Sequence, residues 1–202
     1  MRRFPRSVLF WLDLALKAVL FGLLIVAVAF PNLPQFEGKA MLGRAIAYPI
    51  AVMIAPVASW LVRRRRPAST YPYGVDILIT LPFLIDVAGN ALDLYDSISW
   101  WDDLNHFVNW GLLVGGFALL LRRLPIGRSE LAALAIGFGA VTAIVWELLE
   151  YVTFIRNSSE LATAYTDTLG DLSLGLGGSI VAALLVASPL LRRGRAGSAA
   201  AN

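Results

Sequence analysis

Six long apolar stretches alternate with short polar segments along this 202-residue chain. Each stretch has the ~20 mostly apolar residues that a helix needs to cross the ~30 Å hydrocarbon core of a bilayer. Because backbone groups in lipid must find their hydrogen bonds within the chain, the stretches are predicted to be helices. The six predicted spans are residues 11–30, 41–62, 72–91, 101–121, 130–152 and 167–191. The pattern therefore predicts an all-α polytopic membrane protein with six transmembrane helices.

The spans predict one six-helix membrane domain over residues 1–193, followed by a disordered cytoplasmic tail at 194–202. No internal repeat divides the domain. The first span resembles a signal peptide in position, but Phe30-Pro31-Asn32 follows it where a small-residue cleavage site would be needed. We therefore expect the first span to be retained.

Composition supports the membrane class. The chain is 58% hydrophobic and only 15% charged, whereas a soluble domain carries about 25% charged residues. It has no cysteine, which excludes disulfides, thiolate metal sites and cysteine nucleophiles. The net charge of +3 does not indicate nucleic-acid binding, because the arginines cluster in the loops between apolar stretches.

The basic and acidic residues lie on opposite sides of the predicted spans. One set of loops and helix ends holds 14 of the 17 basic residues, while 11 of the 14 acidic residues lie on the other side. Because cytoplasmic loops of membrane proteins carry the excess of Lys and Arg, both termini are predicted to be cytoplasmic. We expect the protein in a bacterial cytoplasmic (inner) membrane, with its acidic side facing outward.

The polar residues on the acidic side repeat at helical spacing. Residues three, four or seven apart share one face of a helix, and four successive spans each place such a set near their outer ends. At 1.5 Å per residue, the innermost acid or histidine of each span lies roughly 6–8 Å below the interface. The sets are Asp86, Asn90 and Asp93; Asp102, Asp103, His106 and Asn109; Glu147 and Glu150; and Asp167 and Asp171.

A cluster of this kind predicts a cation site. An ionised side chain within a bilayer costs roughly 2.5–3.5 kcal/mol on insertion scales, so several together need a compensating partner. Carboxylates with one histidine and no thiolate suit a divalent metal ion such as Mg, Mn, Zn, Ca or Fe. The alternative for His106 is a core histidine hydrogen-bonded to Asp102 or Asn109. Glycines on the fourth and sixth spans, including Gly111 and Gly178, are expected to allow close helix packing.

Roles are assigned to these residues as hypotheses. Asp86, Asp103, His106, Glu147, Glu150 and Asp171 are the predicted metal ligands, and His106, Glu147 and Glu150 the predicted catalytic acid or base groups. Asn90, Asp102 and Asp167 are expected to orient those ligands. Arg44 is expected to bind a substrate phosphate or to pair with an acid. Asp93 and Asp96 are expected to lie in a solvated outer loop, Asp76 is expected to cap the third span, and Asp13 is expected to pair with Lys17.

The motifs resemble a known family. Asp86 to Asp93, Asp102-Asp103-Leu104-Asn105-His106-Phe107, Trp146-Glu147-Leu148-Leu149-Glu150 and Asp167-Thr168-Leu169-Gly170-Asp171 resemble the YjdF-type bacterial inner-membrane proteins and, more loosely, the VanZ-like proteins. The resemblance covers roughly residues 70–190, and the first two spans match only in hydrophobicity. It implies a polytopic envelope protein, with glycopeptide resistance linked to VanZ-like members, and it implies no agreed reaction.

Three functions fit these predictions. The first is a metal-dependent membrane hydrolase or transferase that acts on a lipid-linked or envelope substrate, with membrane lipids as partners. The second is a proton-coupled small-solute transporter, which the apolar inner halves of the last three spans disfavour. The third is a non-catalytic envelope or resistance protein with a structural cation. Nucleic acid is not an expected partner, and the oligomeric state is left open.

Overall fold

The protein is a bundle of membrane-spanning helices. The computed structural model describes residues 5–153 and 155–189, and it has no strand within them. The α-helices are α1 (Arg6–Ala29), α2 (Met41–Arg65), α3 (Tyr73–Ala91), α4 (Leu94–Ser97), α5 (Trp101–Leu121), α6 (Arg128–Thr153) and α7 (Ala164–Ala187). All except the four-residue α4 are long and apolar enough to cross a membrane. The predicted six-span fold is therefore confirmed.

The boundaries differ from the predicted ones mainly at the first and last spans. Helix α1 begins at Arg6, directly after Pro5, because proline is well suited to the start of a helix. Helix α7 begins at Ala164, three residues before the predicted start. The end of the sixth predicted span and the predicted tail at 194–202 lie outside the described residues.

Helix α5 lies at the centre of the bundle. It packs against α3 and α6 and most extensively against α7, while α1 packs on α3 and α2 lies against α1 and α3. Apolar side chains on the outer helices, such as Ile25 on α1, Ile46 on α2 and Val141 on α6, are exposed and would contact lipid. The loops alternate between two ends of the bundle. We call the end with loops 30–40, 92–100 and 155–163 the acidic end.

Glycine brings α5 and α7 into backbone contact. A Cβ at Gly178 would lie 2.0 Å from the carbonyl oxygen of Phe107, and one at Gly111 would lie 3.5 Å from the carbonyl oxygen of Gly178. The expected close packing is thus confirmed at these two glycines. It is absent at Gly170, where a Cβ would have no neighbour within 4 Å in the described structure.

A second group of buried polar residues lies at the opposite end of the bundle. Lys17 donates to Asp13 and to Asp76, each at 2.6 Å, so the predicted pair of Asp13 and Lys17 is confirmed. The prediction that Asp76 caps its helix is wrong, because its side chain makes no cap bond and is fully buried against Lys17. Tyr71 also donates to Asp76, and burial together with this bond raises the pKa of the Tyr71 hydroxyl.

We expect Gly178→Ala to destabilise the bundle, because its methyl group would overlap the Phe107 carbonyl. Overpacking of this kind costs about 1–3 kcal/mol, which thermal unfolding of the purified protein would detect. The matched control is Gly170→Ala on the same helix, which has open space for the methyl group. Equal stability of the two variants would mean that α5 and α7 do not pack this closely.

The alternation of the loops predicts which residues an impermeant thiol reagent reaches. Because the chain has no cysteine, Ala68→Cys and Ser159→Cys each supply a single exposed thiol, one at each end of the bundle. In intact cells with a permeable outer layer, we expect labelling of Ser159→Cys only. Labelling of Ala68→Cys instead would reverse the predicted orientation.

Candidate functional site

A polar chamber opens between the helices at the acidic end. Its empty volume is about 540 Å³, including the part open to solvent. Helices α2, α3, α5 and α6 all contribute to its lining. Among the residues singled out from the sequence, those that line it are Arg44, Asp86, Asp102, His106, Asn109 and Glu150.

His106 is the point at which carboxylates from three helices meet. Its Nε2 atom lies 3.6 Å from Asp102 Oδ1 on α5 and 3.5 Å from Asp171 Oδ1 on α7. Its Nδ1 atom lies 3.9 Å from Glu147 Oε1 on α6. Only about a tenth of the His106 side chain is exposed, and the Glu147 and Asp171 side chains are each 7% exposed. The structure therefore brings together three residues that the sequence placed on separate spans.

The spacing of these atoms could accommodate a metal ion. Asp102, His106 and Asp171 form one candidate group, and His106, Glu147 and Glu150 form another, each with its ligand atoms within 4.8 Å of one another. Protein ligands bind at ~2.0–2.2 Å from zinc, so two ligands on opposite sides of an ion lie up to ~4.4 Å apart. The distances from His106 Nε2 to Asp102 and Asp171, and from His106 Nδ1 to Glu147, are all within this limit, so both groups are candidates.

Glu147 lies where it could orient the imidazole. A histidine that binds metal through one ring nitrogen usually donates the other N–H to a carboxylate. The Nδ1 atom of His106 is buried, faces Glu147 and has no hydrogen-bond partner among the described residues. A small approach of Glu147 would complete this arrangement.

Asp102, rather than Asp103, joins the cluster. Asp102, Asn105, His106 and Asn109 all line the chamber, whereas Asp103 is exposed. The two aspartates are about 100° apart around the helix, and both spacings to His106 are compatible with contact. Only the rotation of α5 in the bundle selects between them. Asp167 is likewise exposed, so the structure leaves Asp103 and Asp167 outside both candidate groups.

Asp86 is held by donors from three directions. Arg44 Nε donates to Asp86 Oδ2 at 2.9 Å, Tyr48 donates to the same oxygen at 2.5 Å, and Tyr95 donates to Oδ1 at 2.9 Å. Because both carboxylate oxygens are engaged, this geometry supports Asp86 as the counter-ion of Arg44 in place of a metal ligand. Burial and the nearby carboxylate raise the pKa of Tyr95, so its hydroxyl stays protonated as a donor.

Arg44 connects the counter-ion to the metal-type cluster. Its Nη2 atom lies 3.8 Å from Glu150 Oε1, a looser contact than the one with Asp86. Its Nη1 atom donates to the backbone carbonyl of Lys39, and the Lys39 side chain pairs with exposed Asp96 and lowers the pKa of that carboxyl group. Of the two roles expected for Arg44, the structure thus provides the acid pair.

Of the three polar residues predicted on the third span, Asn90 and Asp93 do not join the cluster around His106. Asn90 is buried and donates to the backbone carbonyl of Asp86 on its own helix. Asp93 does not continue the face of Asp86 and Asn90, because α3 ends at Ala91 and Asp93 has a positive φ of 58°. Asp93 and Asp96 are both exposed, as a solvated loop requires.

Two tyrosines of the site were not found from the sequence. Tyr48 follows Arg44 by four residues, so the spacing could have placed both on one face of α2. Tyr95 reaches Asp86 from α4, which the left-handed turn at Asp93 directs back over α3. No periodicity signals a contact of that kind.

The fold and the chamber define a six-span membrane protein with a cluster of acids and one histidine. A family model described as "Predicted membrane protein (DUF2238)" matches residues 14–192. The chain therefore belongs to the DUF2238 family, which is the YjdF-type family that its motifs resemble. No finding supports the looser resemblance to VanZ-like proteins. No curated protein and no solved structure matches the chain.

We expect Asp86→Ala to destabilise the protein by about 3–5 kcal/mol, because it leaves Arg44 as a buried charge without its partner. The double variant Arg44→Met with Asp86→Leu removes both charges and should recover most of that loss. Thermal unfolding of the purified variants measures the difference. If the double variant is less stable than Asp86→Ala, the pair is not what holds α2 to α3.

Proposed function

We propose that the protein is a metal-dependent membrane hydrolase or transferase that acts on a lipid-linked or envelope substrate. The observation that carries the proposal is the convergence of Asp102, Asp171 and Glu147 on the two nitrogens of His106. Carboxylates and one imidazole, with no thiolate, are a ligand set suited to Mg, Mn, Zn, Ca or Fe.

The side chains divide the chemistry among them. Asp102, His106 Nε2 and Asp171 would hold the divalent ion, which would make a bound water more acidic and polarise a phosphoryl or acyl oxygen. After a small approach, Glu147 would accept a hydrogen bond from the Nδ1–H of His106 and so fix the tautomer in which Nε2 is free to bind. Glu150 lines the chamber and is the candidate proton acceptor.

The location of the chamber favours an amphiphilic substrate. Asp102 lies in the first turn of α5, and His106 and Asp171 lie one to two turns inside their helices, which is the depth of lipid headgroups and the first part of their chains. By the distribution of basic residues, this end faces outward from a bacterial inner membrane. A headgroup in that leaflet reaches the chamber without leaving the membrane.

One observation favours a proton-coupled transporter as the second candidate. Lys17, Asp13 and Asp76 form a buried charged group at the end of the bundle opposite the chamber. A transporter needs polar groups toward both membrane faces, and this group supplies them on α1 and α3, outside the three spans whose inner halves are apolar. Solute counterflow in proteoliposomes would favour this candidate.

The adjacent aspartates of α5 provide a matched test of the metal site. We expect Asp102→Asn and His106→Ala to lower the metal content of the purified protein at least tenfold, because each removes a ligand. Asp103→Asn should keep the metal, since Asp103 is exposed and outside the cluster. Elemental analysis of the three variants and the wild type measures this directly.

The same samples separate an enzyme from a structural cation site. Phosphate or acyl release from inner-membrane lipid extracts is expected for the wild type and for Asp103→Asn, and not for the other two variants. Bound metal without any turnover would favour the non-catalytic envelope protein. Equal metal content in Asp102→Asn and Asp103→Asn would contradict the proposed ligand set.

A further inference from the structure

A second cavity lies between α2 and α6, next to the chamber. Its empty volume is about 520 Å³, including the part open to its surroundings. Ala40, Gly43 and Ala47 line it on α2, and Leu149 and Thr153 line it on α6. We call this cavity the lateral groove. Almost all of its lining is apolar, in contrast to the chamber.

The lateral groove exists because α2 and α6 do not pack along their lengths. In the described structure, α2 packs on α1 and α3, and α6 packs on α5 and α7, with no comparable packing between α2 and α6. Gly43 leaves additional room, since a Cβ built there has no neighbour within 4 Å. Gly43 and Leu149 are exposed, so in a spanning bundle the groove opens sideways to lipid.

The lateral groove and the chamber share a wall. Four residues line both cavities: Arg44, Tyr48, Trp146 and Glu150. Tyr48 and Trp146 are stacked with ring centroids 6.1 Å apart, and Tyr48 is fixed by its bond to Asp86. Arg44 and Glu150, at 3.8 Å, are in looser contact. Glu150 can therefore move away from Arg44 while Arg44 keeps its bond to Asp86.

We propose that the lateral groove binds the hydrocarbon chain of an envelope lipid whose headgroup enters the chamber between Arg44 and Glu150. This inference rests on the proposed function and names the form of its substrate: a headgroup carried on a long acyl or prenyl chain that is drawn sideways from the bilayer.

The polarity of the groove fits a lipid with its headgroup better than a partner helix. Ala40 to Ala47 spans seven residues, or about 10 Å along the helix axis. Gly43 and Ala47 have the four-residue spacing of small-residue helix contacts, but such a contact needs no charged pair at its end, whereas Arg44 and Glu150 stand at one end of this groove. A polar wall at one end and an apolar lining elsewhere match a headgroup followed by its chain.

Photocrosslinking tests the occupant directly. The probe is phosphatidylglycerol or phosphatidylethanolamine with a diazirine in the middle of one acyl chain, added to phosphatidylcholine vesicles that contain the protein. We expect mass spectrometry to find adducts on residues 40–47 and 149–153 at least fivefold above those on the lipid-facing outer surface, such as Val141 and Leu185.

The glycines of the chain supply a matched pair of variants. Gly43→Leu fills the lateral groove, and Gly137→Leu places the same side chain on α6 in another open position, where a Cβ also has no neighbour within 4 Å. We expect Gly43→Leu to lose at least four-fifths of the groove adducts and Gly137→Leu to retain them. Adducts that persist unchanged in Gly43→Leu would overturn the proposal, as would wild-type adducts spread evenly over the outer surface.

Metal analysis separates this outcome from the fate of the proposed function. Gly43→Leu touches none of the ligands of His106, so its metal content should equal that of the wild type. Groove adducts without any bound metal would support the lipid site and contradict the enzyme. Bound metal with no groove adducts would support the metal site and contradict lateral entry.

Discussion

Crowding of negative charge at the acidic end is the constraint on which the structure depends. Asp86, Asp102 and Glu150 line the chamber, and Glu147 and Asp171 lie against His106 at its edge, largely out of water. Among the described residues of the site, Arg44 is the permanent cation, and its closest contact is with Asp86 and not with the acids around His106. The carboxylates around His106 therefore need protons or a metal ion, and this requirement links the fold to the proposed chemistry.

Features that depend on a single helix, such as its bounds and the residues that share one of its faces, could be predicted from the sequence. The span at Trp101–Leu121 has the predicted boundaries, because the polar pair Asp102 and Asp103 marks its start and Arg122 follows its end. The end of the bundle at which the acids gather follows from the order of the spans, and the face shared by Asp102 and His106 follows from their spacing. The acids of the last four spans were expected to lie close to His106, and Glu147 and Asp171 do so.

The parts that depend on contacts between helices could not be predicted. Both Asp102 and Asp103 have suitable spacing to His106, and the rotation of α5, set by its packing on α7, selects Asp102. Asp76 resembles a helix cap in sequence because its partner, Lys17, is 59 residues away. Tyr95 comes from a short helix after a left-handed turn, and spacing carries no information about such a reversal.

The contacts around Arg44 close into a ring. Arg44 binds Asp86, Asp86 accepts from Tyr95, the next residue Asp96 pairs with Lys39, and the Lys39 carbonyl accepts from Arg44. These contacts hold the loop at residues 92–100 over the chamber, and the pair of Lys39 and Asp96 is the outermost of them. Dissolved salt weakens this exposed ion pair, whereas the buried hydrogen bonds of the ring are screened far less. The mobility of the loop at residues 92–100 should therefore rise with the ionic strength of the surrounding solution.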